Sequence, residues 1–138
     1  MQTVSQVGRA LVEKTFKQQK ILVNLNSELR KIEHGSVHVY LPRTNLTLQQ
    51  HGFIHGGLVS TVADTAAGLS AYTVLTNPEH SCVTVELKIN FIRPADTGIL
   101  AVGKLIKENK SLVICTAEVF TEDGKICAYM LQTVKKIT

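Results

Sequence analysis

Asp64 stands near the middle of Gly57–Leu75, the longest apolar window in the chain. A carboxylate buried without a partner is costly, so an acid there must be held by another group or put to use. Eight residues before it is Gly56, in the run His55-Gly56-Gly57. A helix beginning at this run has no Ser, Thr, Asp or Asn at its N-cap, so no side chain obviously satisfies its first-turn N–H groups. Glycine also lets another group approach the backbone closely. A bare helix N-terminus stabilises negative charge developing on a reacting oxygen. An acid and an oxyanion site together suit attack on a carbonyl. The plainer readings are a solvated Asp and a glycine-started helix with water on its amides.

At 1.5 Å per residue, Gly56 and Asp64 lie about 12 Å apart along one helix. One carbonyl cannot touch both within a single chain. If both act on one reacting group, the Asp comes from a second subunit and the site spans a two-fold interface.

The element that must position these residues is a helix from Gly56 to about Thr76, closed by Asn77-Pro78. Helical periodicity puts Leu58, Val59, Val62, Ala63, Ala66, Ala67, Leu69, Thr73 and Val74 on one broad face, which predicts a helix nearly enclosed by its sheet. Gly57, Thr61, Asp64 and Gly68 share the narrow opposite stripe. A central Asp costs about 2.5–3.5 kcal/mol on membrane-insertion scales, so the window reads as a buried helix and not a membrane span.

Before it, Val4 to Phe16 has the spacing of an amphipathic helix. Ile21–Leu25 and Leu29–Ile32 read as short strand-like segments, and Ser36–Leu41 alternates as a strand does. Four strands are predicted after it, Cys82–Ile92, Ile99–Lys107, Ser111–Phe120 and Lys125–Val134, joined by short turns that include Asp123-Gly124. Short turns imply an antiparallel meander. The fold class is therefore α+β, with a long helix against an antiparallel sheet and a short N-terminal helix, in one domain over residues 1–138.

Other chemistries find little support. His51 and His55 are four residues apart, but the motif lacks the HExxH glutamate and contains Gly52, so no metal is expected. There is no Gly-x-Ser-x-Gly elbow, P-loop or dinucleotide fingerprint. The three cysteines, Cys82, Cys115 and Cys127, have no CxxC spacing and read as buried hydrophobes in a reducing compartment. The net charge of +4 is too mild for a nucleic-acid binder. The N-terminus shows no signal-peptide core, so a cytoplasmic location is expected.

Gln49-Gln50-His51-Gly52-Phe53-Ile54-His55-Gly56-Gly57, followed by Val62-Ala63-Asp64-Thr65-Ala66-Ala67-Gly68, resembles the hotdog-fold acyl-CoA thioesterases of the phenylacetic-acid-degradation (PaaI-like) type. Thr84 through Pro94 is similar to that family's strand after the central helix, and Gly124 through Ala128 to its last hairpin. The resemblance covers about residues 20–136. It implies a long helix wrapped by a curved antiparallel sheet, a homodimer or dimer of dimers, and hydrolysis of an acyl-CoA thioester without a cofactor.

By that analogy the Gly56 amide polarises the thioester carbonyl, and Asp64 of the partner chain acts as general base on water or as nucleophile. Thr84 helps hold the attacking water. Gln49 falls where the family often has Asn, and His55 orients the loop or contacts substrate. Gly57 would line the substrate site. Arg93 and Lys110 are the basic residues best placed for the CoA phosphates. Phe53, Leu69 and Tyr72 are candidates for the acyl pocket. A non-catalytic acyl-CoA binder and an acyl-thioester dehydratase or hydratase are the competing readings.

Overall fold

The computed structural model describes residues 2–138. In chain order the elements are α1 (Gln6–Gln18), α2 (Lys20–Asn24), β1 (Glu28–Glu33), β2 (Ser36–Leu41), α3 (Gly56–Tyr72), β3 (Ser81–Phe91), β4 (Ile99–Glu108), β5 (Leu112–Thr121) and β6 (Ile126–Ile137). The strands form one antiparallel sheet in the order β1-β2-β4-β5-β6-β3. With α3 packed against that sheet, this is the hotdog fold.

The broad apolar face of α3 is buried as its periodicity requires: Val62, Ala63, Ala66 and Ala67 are fully enclosed, and Val59 and Leu69 nearly so. Alanine allows the helix to approach the sheet closely, and Gly103 of β4 completes the fit. A β-carbon on Gly103 would stand 2.6 Å from the Ala67 nitrogen and closer still to the Ala66 carbonyl. Val37 and Val39 of β2, Ala101 of β4, Cys115 and Ala117 of β5 and Met130 of β6 supply the sheet's side of the core.

Three expectations change. Ile21–Leu25 is not a strand: Lys20–Asn24 forms one helical turn, α2. Leu22 is buried while Ile21 and Val23 are exposed, so burial of one side chain outweighs the β-propensity of its neighbours. α3 ends at Tyr72, ahead of Thr76, because Val74 and Leu75 turn back with N–H bonds to Ala71 and Tyr72. The last four strands are not a simple meander. β4, β5 and β6 are, but β3 pairs with β6 at the far side of the sheet and never touches β4 in the ladder.

β3 is therefore an edge strand. Its register against β6 shifts between Thr84 and Glu86, a bulge at Val85. Thr84 is opposite Val134 and Leu87 opposite Gln132, and those partners share the helix-facing side of β6. The bulge thus sets Thr84, Leu87, Ile89 and Phe91 all toward α3. β6 continues to Ile137 and so includes Lys135 and Lys136: Lys136 Nζ donates to the Asn109 carbonyl at 3.0 Å and stands 3.4 Å from Glu108.

Candidate active site

The start of α3 is held by the loop before it. Gln49 Oε1 accepts from the His51 N–H at 2.6 Å and the Phe53 N–H at 3.2 Å, and Ile54 bonds the Ala95 carbonyl at 2.8 Å. The helix tip is not bare. His55 is its N-cap, and Nδ1 accepts from the Gly57 N–H at 2.9 Å, a role outside the usual capping set of Ser, Thr, Asp and Asn. The bond requires a lone pair on Nδ1, hence a neutral imidazole. Leu58 and Val59 donate to the His55 carbonyl. The Gly56 N–H has no acceptor among the described residues.

Gly56 lies in a cavity of about 330 Å³ together with Gln49, Phe53, Phe91, Arg93 and Cys127. The Phe91 ring stands over the glycine, 3.5 Å from where a β-carbon would be. The cavity thus holds an unpartnered amide at a positive helix end, an apolar wall and a guanidinium, a set suited to a polarised carbonyl attached to an anionic carrier.

Asp64 occupies a second cavity, about 240 Å³, lined by Thr15 of α1, Gln19 between α1 and α2, Thr65, Gly68, Leu69 and Tyr72 of α3, and Cys82 and Thr84 of β3. Thr84 Oγ1 donates to Asp64 Oδ1 at 2.7 Å, and Gln132 Nε2 donates to the same oxygen. Gln132 Nε2 also lies 3.2 Å from Thr84 Oγ1. Among the described residues Asp64 has no ion-pair partner. A carboxylate that accepts two hydrogen bonds, uncompensated by a cation and open to a cavity, retains its capacity to take a proton or attack carbon.

The predicted residues therefore fall into two groups. Gln49, Phe53, Gly56 and Arg93 line the first cavity, Asp64, Tyr72 and Thr84 the second. Phe53 is accordingly separated from Leu69 and Tyr72. His55 and Gly57 are exposed at the helix start. Lys110 is exposed in the β4–β5 turn and lines neither cavity. Gln132, Thr15 and Gln19 escaped the sequence reading. Gln132 had left a signal: Ala128, Met130, Gln132 and Val134 alternate on the inward face of β6, and only one of them is polar.

All three thiols are free and buried; burial pushes Cys82 up to about 12 and raises Cys115 and Cys127, so none is a nucleophile at neutral pH. No helix among the described residues is long and apolar enough to cross a membrane.

The sheet order and the enclosed central helix define a hotdog domain. Residues 51–128 match the family model described as Thioesterase superfamily, and the chain belongs to that family. A Saccharolobus solfataricus protein whose name gives esterase as a provisional activity is 31% identical, over 88% of this chain and 91% of its own length. The crystal structure of a thioesterase family protein from Silicibacter pomeroyi superposes with a TM-score of 0.88 at 30% identity, covering 94% of this chain and 98% of that one. The PaaI protein of the E. coli phenylacetic acid degradation operon shares the fold, with a TM-score of 0.88 at 18% identity over 99% and 97% of the two chains.

Proposed function

We propose that the protein hydrolyses acyl-CoA thioesters at a site shared by two copies of the chain, Gly56 from one and Asp64 from the other. The observation that carries this reading is the division of the machinery between the two ends of β3. Cys82 and Thr84, near its start, line the Asp64 cavity; Phe91 at its end, with Ile92 and Arg93 just beyond, lines the Gly56 cavity.

β3 is an eleven-residue edge that exposes Val83, Val85 and Leu87 alongside Glu86 and Lys88, whereas the opposite edge, β1, has six residues and exposes Glu28, Arg30 and Lys31. Short, charged edges resist pairing; a long edge with exposed apolar side chains is the better template for it. Two-fold pairing of β3 with a second β3 is antiparallel, so the start of each strand meets the end of the other. Each Asp64 cavity is then brought toward the partner's Gly56 cavity.

In the reaction, the thioester oxygen accepts from the Gly56 N–H. Asp64 takes a proton from water as the water oxygen adds to the carbonyl carbon. The tetrahedral intermediate collapses with cleavage of the C–S bond, and the proton passes to the departing CoA sulfur. Thr84, whose hydroxyl hydrogen is given to Asp64, keeps a lone pair for a hydrogen of that water. Direct attack by Asp64 is the variant of this scheme that passes through a mixed anhydride. Arg93 accounts for attraction of the CoA phosphates.

The test is thiol release from a panel of aliphatic and aromatic acyl-CoAs, with wild type and Asp64→Ala side by side. Turnover that survives intact in the variant refutes the assignment of Asp64. Tight binding of acyl-CoA with no thiol release identifies a non-catalytic binder.

A further inference from the structure

Gln132 is about 1% exposed, and its Oε1 has no hydrogen-bond partner among the described residues. A buried unpaired carbonyl is destabilising, and an apolar side chain of the same size would avoid that cost. What the amide supplies is its nitrogen. Nε2 donates to Asp64 Oδ1, stands 3.2 Å from Thr84 Oγ1, and lies 3.4 Å from the Asp64 carbonyl. Every hydrogen bond that the described residues give the Asp64 carboxylate falls on Oδ1.

We propose that Gln132 is a positioning residue for the proposed thioester hydrolysis: with Thr84 it fixes Oδ1 of Asp64 and leaves Oδ2 as the oxygen that reacts. This rests on the reading of Asp64 above. The orientation of the amide follows from chemistry. Turned over, Oε1 would face Oδ1, acceptor against acceptor, so a carboxylate selects the nitrogen-first orientation. Both groups of the clamp donate, and both meet the same carboxylate oxygen. The clamp also accounts for an acid on a helix stripe of small residues: Gly57, Thr61 and Gly68 leave space, and the strand behind supplies the contacts. A β-carbon at Gly68 would come within 3.9 Å of Gln132 Oε1, so the helix is seated against this amide.

Gln132→Met keeps the length and removes the donor; Gln132→Glu keeps the shape and replaces the donor by an acid. In the thioesterase assay Gln132→Met lowers kcat about 10- to 100-fold, the loss of a hydrogen bond to a charged group, with KM within about twofold. The acid limb of its pH–rate profile moves toward higher pH, and further in Gln132→Glu, where two acids meet. A side chain that only filled space would move neither the limb nor the balance of kcat against KM.

Full kcat with an unmoved acid limb in a folded Gln132→Met, or in Gln132→Glu should the first not fold, overturns the proposal. ¹³C carboxyl titration of Asp64 in the same proteins reads the clamp without turnover. A displaced Asp64 titration in an inactive protein would leave the clamp standing and sink the hydrolase reading; an unchanged titration in an active one would do the reverse.

Discussion

Gly103 of β4 lies directly beneath Ala66 of α3, and no atom larger than hydrogen fits between them. A β-carbon there would collide with the Ala66 carbonyl and lie 2.6 Å from the Ala67 nitrogen, both backbone groups that cannot rotate away. Gly103→Ala therefore lifts α3 from the sheet. It is expected to cost about 3 kcal/mol and to lower Tm by roughly 10 °C. A thermal melt that coincides with wild type would show that the helix does not rest on this glycine.

Subunit mixing tests the shared site. Gly56 is the first residue of α3, where proline is well tolerated, and the extended backbone of His55 (φ −57°, ψ 132°) suits a residue before proline. Gly56→Pro thus deletes the N–H and keeps the helix. Gly56→Pro and Asp64→Ala are each expected to lose about 100-fold or more in kcat. Unfolded and refolded together, heterodimers should contain one intact site of two, and activity should return toward half of wild type in that species. Proven subunit exchange with no recovery would count against a site built from two chains.

The edge of β3 supplies a second test of assembly. Val85, 54% exposed, sits in the bulge. Val85→Lys places a charge on the edge and should shift the protein toward monomer in sedimentation equilibrium, with loss of turnover in proportion. Unchanged mass and activity would place the contact between copies elsewhere.

The thiols predict a response to alkali. Burial raises all three from the ordinary value of 9.0, Cys82 to about 12. Above pH 9 the unfolded chain releases thiol protons that the native chain retains, so the unfolded state binds fewer protons and stability falls as pH rises. Cys82 contributes to that decline from pH 9 until about 12, with a slope approaching 1.4 kcal/mol per pH unit. Urea midpoints at pH 7, 9 and 10.5 should drop chiefly across the last interval, and less steeply in Cys82→Ala. A flat profile would contradict the burial of these groups.

The parts of this structure governed by local periodicity could be read from the chain. α3 announced itself through its apolar face, and β4, β5 and β6 through alternation and turns such as Asp123-Gly124. Asp64 and Gly56 stood out by chemical type against their surroundings. The partner of β3 could not be read: the short Pro94–Gly98 connection looks like a hairpin, and only packing over α3 sends β3 to β6. The His55 cap was hidden because histidine seldom fills that role, and α2 because Ile21 and Val23 favour strands. Gln132 needed both facts at once, its inward phase on β6 and the nearness of β6 to Asp64, which sequence separation conceals.

The bulge at Val85 gives the strand a fixed stop. Side chains alternate along β3, so a slide of one residue against β6 would swing the Thr84 hydroxyl to the far side of the sheet and strip Asp64 of a donor. On the proposed mechanism, chains caught in that slipped alignment are silent and not merely altered in preference, so one residue offset would govern both correct folding and chemical competence.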